Sequence, residues 1–241
     1  MDLSILWSFG EAGPFVITSV VALLWLALLE RLQVKGYISR PDSRKLVHFG
    51  TGPIFVVCWS LFSEDHNARY YAALVPLLIT LRFFLIGIGV LQDHATVLAM
   101  SRSGRKEELL KGPLTYGIIF VLCTIYYWKY DPIGIIALMI LCAGDGFADL
   151  IGRRFGGRYK LPHNRRKSYA GSIAFVVASM LVTVPLLNYF YTWGWFRVRV
   201  SVTRLFWVVF GSMLVESLPL EDWDNLTVSA SALLLGHLLL P

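Results

Sequence analysis

Long apolar runs separated by short polar stretches repeat along almost the whole chain. An α-helix of roughly 17–25 apolar residues can cross the hydrocarbon core of a bilayer. Eight runs of about this length follow one another, at about 13–32, 46–62, 70–91, 113–128, 132–151, 168–191, 203–219 and 224–240. The second, fourth and last are short or contain glycine and polar residues. The pattern therefore predicts an all-α polytopic membrane protein with seven to eight transmembrane helices.

The composition agrees with this interpretation. Of the 241 residues, 56% are hydrophobic and only 16% are charged, whereas soluble domains have about 25% charged residues. Little chain remains outside the apolar runs, so we expect residues 1–241 to form a single integral-membrane domain. No basic residue precedes the first run, unlike the order found in signal peptides. We expect that run to remain as a membrane helix, in either a bacterial protein or a mature organellar one.

The basic residues favour one face of the membrane. If successive connections alternate between the two faces, sixteen of the 22 Lys and Arg residues fall on the same face. Basic loops remain on the cytoplasmic side, or the stromal side in a plastid. This bias accounts for the net charge of +6, so we do not interpret that charge as a nucleic-acid-binding surface. The chemically suggestive motifs converge on the same face, which predicts one site at the cytoplasmic or stromal interface.

Two aspartates stand at the end of the fifth apolar run. Asp145 and Asp149 are four residues apart, so on a helix they share one face and repel each other unless a cation lies between them. Carboxylates suit Mg²⁺, which binds one or two of them together with substrate phosphates. Gly144 and Gly146 would let a nucleotide approach the backbone closely. The structural alternative is that each aspartate pairs with an arginine such as Arg153.

A strongly basic loop follows and ends at Lys167-Ser168. Its seven cations are Arg153, Arg154, Arg158, Lys160, Arg165, Arg166 and Lys167. Ser168 is expected to begin the next helix, where free backbone N–H groups and the positive helix end favour an anion. The alternative is that Ser168 only caps that helix. A metal-binding helix end facing a phosphate-binding helix start suits a nucleoside triphosphate, with Arg153, Arg154, Lys167 and Ser168 as contacts.

Further candidates lie at the same predicted interface. His48, one turn after Arg44 and close to Lys45, could bind phosphate, transfer a proton or simply pack. Lys111 precedes Pro113, which is well placed to open a helix. These positions extend the candidate phosphate-binding surface to Arg44, Lys45 and Lys111.

An acidic patch lies near the C-terminus. Glu216 could supply another metal ligand or the base that deprotonates an alcohol, and Asn225 could contact the ligand or merely cap a helix.

Arg82 lies inside the third run, where a cation must find a carboxylate or water. The expected partner of Arg82 is Glu216 or one of the two aspartates. The catalytic candidates are Asp145, Glu216, His48 and Lys167.

Taken together, the motifs resemble the polyprenol kinase family, and within it the phytol and farnesol kinases of plants and cyanobacteria. The resemblance spans roughly residues 44–228, and the Gly-Asp-Gly block with Lys-Ser is its most specific part. The matching motifs are Arg44-Lys45-x-x-His48, Lys111-Gly112-Pro113-Leu114-x-Tyr116, Gly144-Asp145-Gly146-x-Ala148-Asp149-x-x-Gly152-Arg153-Arg154-Phe155-Gly156, Lys167-Ser168-x-x-Gly171-Ser172, and Glu216-x-x-Pro219 followed by Asp224-Asn225-Leu226-Thr227.

The resemblance implies a CTP-dependent, Mg²⁺-assisted kinase of an isoprenoid alcohol, as in the salvage of phytol for tocopherol synthesis. Phytol is the first expectation, with geranylgeraniol or farnesol as further substrates. The resemblance also implies that Asp145, Asp149 and Lys167 bind CTP–Mg²⁺. It implies a cyanobacterial or chloroplast membrane protein that is surrounded by membrane lipid. Two alternatives stay open: a cytidylyltransferase of the CDP-diacylglycerol synthase type, and a small secondary transporter. The sequence does not indicate an oligomeric state.

Overall fold

A computed structural model describes residues 10–101, 103–220 and 223–240, without the side chain of Arg40. These residues form helices and no β-strand; Lys160 and Ser168 make an isolated antiparallel bridge. The α-helices are α1 (Ala12–Val34), α2 (Arg40–Cys58), α3 (Ala68–Gly87), α4 (His94–Met100), α5 (Gly112–Tyr127), α6 (Pro132–Met139), α7 (Gly146–Phe155), α8 (Tyr169–Thr192), α9 (Val202–Glu216) and α10 (Asp224–Leu239). Two short 3₁₀ helices cover Trp59–Leu61 and Lys106–Leu110, and a π-helical turn, Ile140–Asp145, joins α6 to α7.

Each of the eight apolar runs is helical, which confirms the all-α prediction. By length and composition, five helical segments can cross a membrane: Ala12–Val34, Ala68–Gly87, Lys106–Tyr127, Pro132–Phe155 and Tyr169–Thr192. The predicted count of seven to eight is not confirmed. Helices α9 and α10 have only 15 and 16 residues, roughly 22–24 Å of helix, and α2 carries several charged side chains.

Short polar side chains begin several helices, and of these caps the sequence predicts the one made by Ser168. Ser39 accepts a hydrogen bond from the Asp42 N–H at the start of α2, and Ser168 caps α8. Asp131 caps α6 directly before Pro132. These side chains satisfy N–H groups that have no partner in the first helical turn. Pro113 occupies the first turn of α5, which confirms its predicted position.

The described chain divides into two compact units. The first comprises the described part of Met1–Val47 together with Ile54–Trp128. Within it, α3 packs along α5, where a Cβ at Gly117 would overlap Oγ1 of Thr80, so only glycine fits. The single-domain organisation of residues 1–241 stays a prediction.

The prediction that Arg82 pairs with Glu216 or with one of the two aspartates is wrong. Arg82 lies near the end of α3 and pairs with Asp93, which follows the turn after that helix. Asp93 also caps α4: a backbone N–H and the hydroxyl of Thr96 donate to it. These two hydrogen bonds, and then Arg82, lower the pKa of Asp93 to about 2. The turn brings a nearby carboxylate to Arg82, so no distant acidic residue is required.

The second unit, His48–Pro53 with Lys129–Pro241, surrounds one buried helical segment. That segment is α6, the π-helical turn and α7, and its residues 135–143 are fully buried. Helices α8, α9 and α10 pack around it. Where α7 meets α8, the Cα of Gly171 lies 3.5 Å from the position that a Cβ would take on Gly152. The glycines therefore let these two backbones approach each other directly.

Candidate active site

The π-helical turn places Asp145 inside the second unit. Asp145 is the last residue of the turn and is only 6% exposed. Nε2 of His48 lies 3.0 Å from the carbonyl oxygen of Leu141 and 3.4 Å from Oδ2 of Asp145. A carbonyl oxygen can only accept, so this contact requires a hydrogen on Nε2. A π-helical turn within an α-helix often marks a functional position. Here the turn places Asp145 next to His48.

A buried ion pair connects the start of α8 to the end of α9. Lys167 directly precedes the capping residue of α8, and its ammonium pairs with Glu216, which is 3% exposed. Asp145 and Asp224 also attract this ammonium. Burial lowers the pKa of Lys167, but attraction by Glu216, Asp145 and Asp224 outweighs it and the net pKa is raised. The ammonium is therefore charged at neutral pH, with carboxylates from three separate elements acting on it.

The loop before α8 is folded back on itself, which fixes the position of Lys167. The N–H of Leu161 donates to the Lys167 carbonyl at 3.1 Å, and the N–H of Tyr169 donates to the Tyr159 carbonyl at 3.2 Å. This loop, residues 156–168, is small and has few apolar side chains. Its backbone hydrogen bonds therefore contribute to its order.

Three residues that the sequence did not single out anchor this loop to the end of α9. Nδ2 of Asn164 donates to the carbonyl oxygen of Ser217 at 3.1 Å, and the ring of His163 lies 3.0 Å from the Ser217 hydroxyl. Ser217 follows Glu216 directly, so these contacts hold the loop that carries Lys167 close to Glu216. Asn164 is the one amide side chain in a cationic loop, which is the signal that could have identified it.

Asp149 lies one turn after Asp145 and pairs with Arg153 across the surface of α7. The distance from Nε of Arg153 to Oδ2 of Asp149 is 3.1 Å, and their side chains are 43% and 34% exposed. This is the structural alternative expected for an aspartate here. An exposed pair of this type contributes about 0.3–0.5 kcal/mol, so a stronger ligand can displace it. Arg154 is also exposed.

The carboxylates of Asp145 and Asp149 suit a metal ion that is bound by the protein and by substrate phosphates together. Among the described residues, no three His, Cys, Asp or Glu side chains converge as ligands for one ion. Mg²⁺ needs fewer: one or two carboxylates, with substrate phosphates and water completing its shell. Asp145 and Asp149 are one turn apart, and Asp149 is open to solvent. A magnesium ion held by both stays a prediction.

Gly144 and Gly146, both predicted to contact the nucleotide, differ in the space that is available for a side chain. A Cβ on Gly144 would lie 2.9 Å from the Phe175 ring and 2.6 Å from the Ser179 hydroxyl, both on α8. A Cβ on Gly146 would meet nothing closer than Phe49, at 3.4 Å. Gly144 therefore allows α8 to approach, whereas Gly146 has room for a methyl group. Nucleotide contacts by either glycine stay predictions.

Ser168 and Asn225 stand at helix starts. The Ser168 hydroxyl accepts a hydrogen bond from the Gly171 N–H at 3.2 Å, so its capping role is confirmed. Asn225 is 9% exposed in the first turn of α10, and its backbone N–H donates to Asp224 at 3.0 Å. Phosphate or ligand contacts by these two residues stay predictions.

The remaining basic candidates belong to the first unit. Arg44 and Lys45 lie in the first half of α2 and are partly buried. Lys111 is exposed, and its carbonyl accepts from both the backbone and the hydroxyl of Thr115 at the start of α5. Their contribution to binding stays a prediction. In the second unit, His48 contacts Asp145, and Lys167 pairs with Glu216. The catalytic roles of these four residues stay predictions.

Comparison with known proteins finds similar kinases from plants. It is 43% identical to a chloroplastic farnesol kinase of Arabidopsis thaliana, over 95% of this chain and 76% of the relative. It is 43% identical to a probable chloroplastic phytol kinase 3 of Glycine max, over 93% of this chain and 71% of the relative. Identity to the chloroplastic phytol kinase 1 of Arabidopsis thaliana is 38%, over 87% and 70%. No family model and no solved structure matches the chain.

Proposed function

The chain belongs to the family of isoprenoid alcohol kinases that includes the phytol and farnesol kinases, and we propose that it phosphorylates phytol with CTP. Geranylgeraniol and farnesol are proposed as further acceptors. The observation that carries this proposal is the buried Lys167–Glu216 pair, on which Asp145 also acts. This pair provides an ammonium that can bind a phosphate and, next to it, a carboxylate that can accept the proton of a hydroxyl group.

The two charges of this pair have competing partners in the proposed reaction. A triphosphate offers Lys167 several negative oxygens, so the ammonium can exchange Glu216 for the nucleotide. Glu216 then loses its counter-ion while remaining buried, which makes it a better proton acceptor. We propose that Glu216 accepts the proton of the alcohol as the hydroxyl oxygen attacks the γ-phosphorus. Lys167, with Arg153 or Arg154, stabilises the charge that develops on the transferred group.

Asp145 and Asp149 are the proposed ligands for Mg²⁺. When bound with the nucleotide, the ion neutralises charge on the phosphates. His48 has a positioning role, because its Nε2–H lies between the Leu141 carbonyl and Asp145 and orients the carboxylate. Outer hydrogen bonds of this kind fix metal-ligating side chains in place.

The membrane arrangement follows the distribution of basic residues. We propose that α2, α9 and α10 complete seven or eight membrane segments together with the five long apolar ones. The hydrocarbon chain of the alcohol then lies between helices, with its hydroxyl at Lys167. The basic face, and with it the site, faces the stroma of a chloroplast or the cytoplasm of a cyanobacterium. The chloroplastic relatives support this location.

Purified protein tests the proposal. We expect CTP to be converted to CDP only in the presence of an isoprenoid alcohol, with a mass gain of one phosphate on the alcohol. Asp145→Asn should lower turnover at least 100-fold while the protein remains folded in detergent. The matched control is Asp131→Asn, because Asp131 caps α6 away from the site and Asn is an equally good cap.

Three results would contradict the proposal. Release of pyrophosphate with a CMP-lipid would indicate a cytidylyltransferase instead, and uptake into liposomes without any nucleotide would indicate a transporter. Full turnover by Asp145→Asn would remove Asp145 from the mechanism.

A further inference from the structure

The second unit contains a cavity far from the candidate active site. It has a volume of about 390 Å³ and lies between the last turns of α8 and the first turn of α9. Leu187 and Leu205 contribute to an apolar part of its lining, whereas Asn188, Arg199 and Ser201 contribute polar groups. The volume is within the usual range of about 300–1,000 Å³ for small-molecule sites. The lining is therefore amphipathic, with hydrocarbon and polar groups in one cavity.

The cavity lies at the opposite end of α8 from Lys167. Ser168 caps α8 at the candidate active site, and Leu187 lies nineteen residues further along. At 1.5 Å per residue this separation is roughly 28 Å, close to the thickness of about 30 Å of a bilayer's hydrocarbon core. Trp193, which is 61% exposed, ends α8, and tryptophan is typical of the membrane–water interface. With α8 spanning the bilayer, as its length and composition allow, the cavity lies at the membrane interface opposite the candidate active site.

Arg199 contributes to the lining of this cavity and is oriented by contacts with two side chains of α8. Its Nε and Nη2 donate to Oδ1 of Asn188 at 3.2 and 3.0 Å, and its guanidinium lies 5.8 Å from the Tyr191 ring centroid. A guanidinium has five N–H donors, and in the described part of the chain only Asn188 accepts from this one. No carboxylate in the described ranges pairs with it. A positive charge is thus oriented and left available to a ligand.

The start of α9 adds to this positive potential. Ser201 precedes the helix, and its side chain makes no capping hydrogen bond. Val202, the first residue of α9, also contributes to the cavity. The N–H groups of a first helical turn attract anions. Arg199 and the helix start therefore both favour an acidic group at the polar part of the cavity.

We propose that this cavity binds a membrane lipid with an anionic headgroup. The phosphate, sulfonate or carboxylate of the lipid lies on Arg199 and Ser201, and the first part of its acyl chain lies on Leu187 and Leu205. A free inorganic anion would leave the apolar lining in contact with water, which favours an amphiphile. The acceptor alcohol is a poor occupant because it is uncharged and because its hydroxyl reacts at the other end of α8. This inference stands apart from the choice of nucleotide or alcohol.

Lipid retention by the purified full-length protein tests the inference. Native mass spectrometry after mixing with dioleoyl phosphatidylglycerol should show one lipid bound more tightly than dioleoyl phosphatidylcholine. Arg199→Gln should weaken that binding at least about tenfold, the usual effect of losing a charge-assisted hydrogen bond. The matched control is Arg197→Gln: Arg197 is exposed in the same loop but does not line the cavity. Its variant should bind within about twofold of the wild type.

The possible outcomes separate this site from general electrostatic attraction. Equal losses in both glutamine variants would overturn the proposal, because they would indicate only surface charge. Inorganic phosphate that displaces the lipid at millimolar concentration would overturn the role of the acyl chain. If Arg199→Gln fails to fold by circular dichroism, Arg199→Lys provides the test: it keeps the charge, loses the forked geometry, and should give an intermediate affinity. Unchanged affinity in Arg199→Lys would contradict the role given to the guanidinium.

Discussion

Removing either member of the Lys167–Glu216 pair should destabilise the protein, and removing both should restore part of the loss. In Lys167→Met the unbranched stem remains but the ammonium is lost, so the 2%-exposed side chain of Glu216 has no counter-ion. Breaking a fully buried pair in this way costs about 3–5 kcal/mol. Because the Lys167 side chain is 29% exposed, water screens part of the interaction. We expect a loss of about 1–3 kcal/mol in the free energy of unfolding.

The two single variants should differ in a defined order. Glu216→Gln leaves the ammonium of Lys167 attracted by Asp145 and Asp224, whereas Lys167→Met leaves three carboxylates without this cation. Lys167→Met should therefore be the less stable variant. The double variant removes both charges together, so it leaves neither a carboxylate nor an ammonium without its partner in this pair. We expect it to be more stable than Lys167→Met, with a coupling free energy of about 1–3 kcal/mol.

Thermal unfolding in a single detergent measures this cycle. For a chain of this size, about 1 kcal/mol corresponds to roughly 2–4 °C in Tm, so Lys167→Met should melt several degrees below the double variant. Salt should reduce the difference only in part, because Glu216 is buried while the Lys167 side chain is partly exposed. Additive losses, within about 0.5 kcal/mol, would refute the reasoning. Both single variants should lose turnover at least 100-fold, because each removes a group assigned to the reaction.

Three further predictions concern other parts of the molecule. Gly144→Ala should lower stability by about 1–3 kcal/mol, because its Cβ would overlap an aromatic ring of α8, whereas Gly146→Ala should keep the wild-type Tm. Asn164→Ala should lower turnover about tenfold with a loss of only about 1 kcal/mol in stability, measured by steady-state kinetics and Tm; equal turnover would contradict an anchoring role. The pKa of Asp93 is lowered to about 2, chiefly by its hydrogen bond from a backbone N–H of α4. Its stabilising contribution is therefore complete above about pH 4 and is lost as the pH falls towards 2, so Asp93→Asn should flatten the dependence of Tm on pH in that interval.

Helix positions were predictable because a bilayer-spanning helix leaves a strong compositional signal. The π-helical turn Ile140–Asp145 was not predictable in the same way. Residues 135–143 are all buried, so no polar position reveals the local helical period. The error on Arg82 has a different cause: the prediction searched for a distant carboxylate, and the turn after α3 supplied Asp93. Hydropathy locates a helix but does not describe the connection that follows it.

The residues of the site were easier to predict than their pairing. Lys167 and Glu216 were placed at one interface by the distribution of charge, but they are 49 residues apart. Beside their contact, Asn164 of the same loop donates a hydrogen bond to the backbone carbonyl of Ser217. The single amide in a cationic loop marks Asn164, but no pattern of charge or hydropathy identifies the backbone carbonyl that accepts its hydrogen bond. This is why the anchoring residues were missed while the charged ones were found.

The observed pairing changes the roles that can be assigned to these charges. Considered separately, Lys167 is a phosphate ligand and Glu216 a base, each available at all times. In the structure each neutralises the other, so neither is available until one finds a better partner. An uncharged alcohol cannot separate them, whereas a triphosphate can compete for the ammonium. If Lys167 and Glu216 have the proposed roles, this geometry predicts an order in which the nucleotide binds first and, by pairing with Lys167, releases Glu216 to accept the proton of the alcohol.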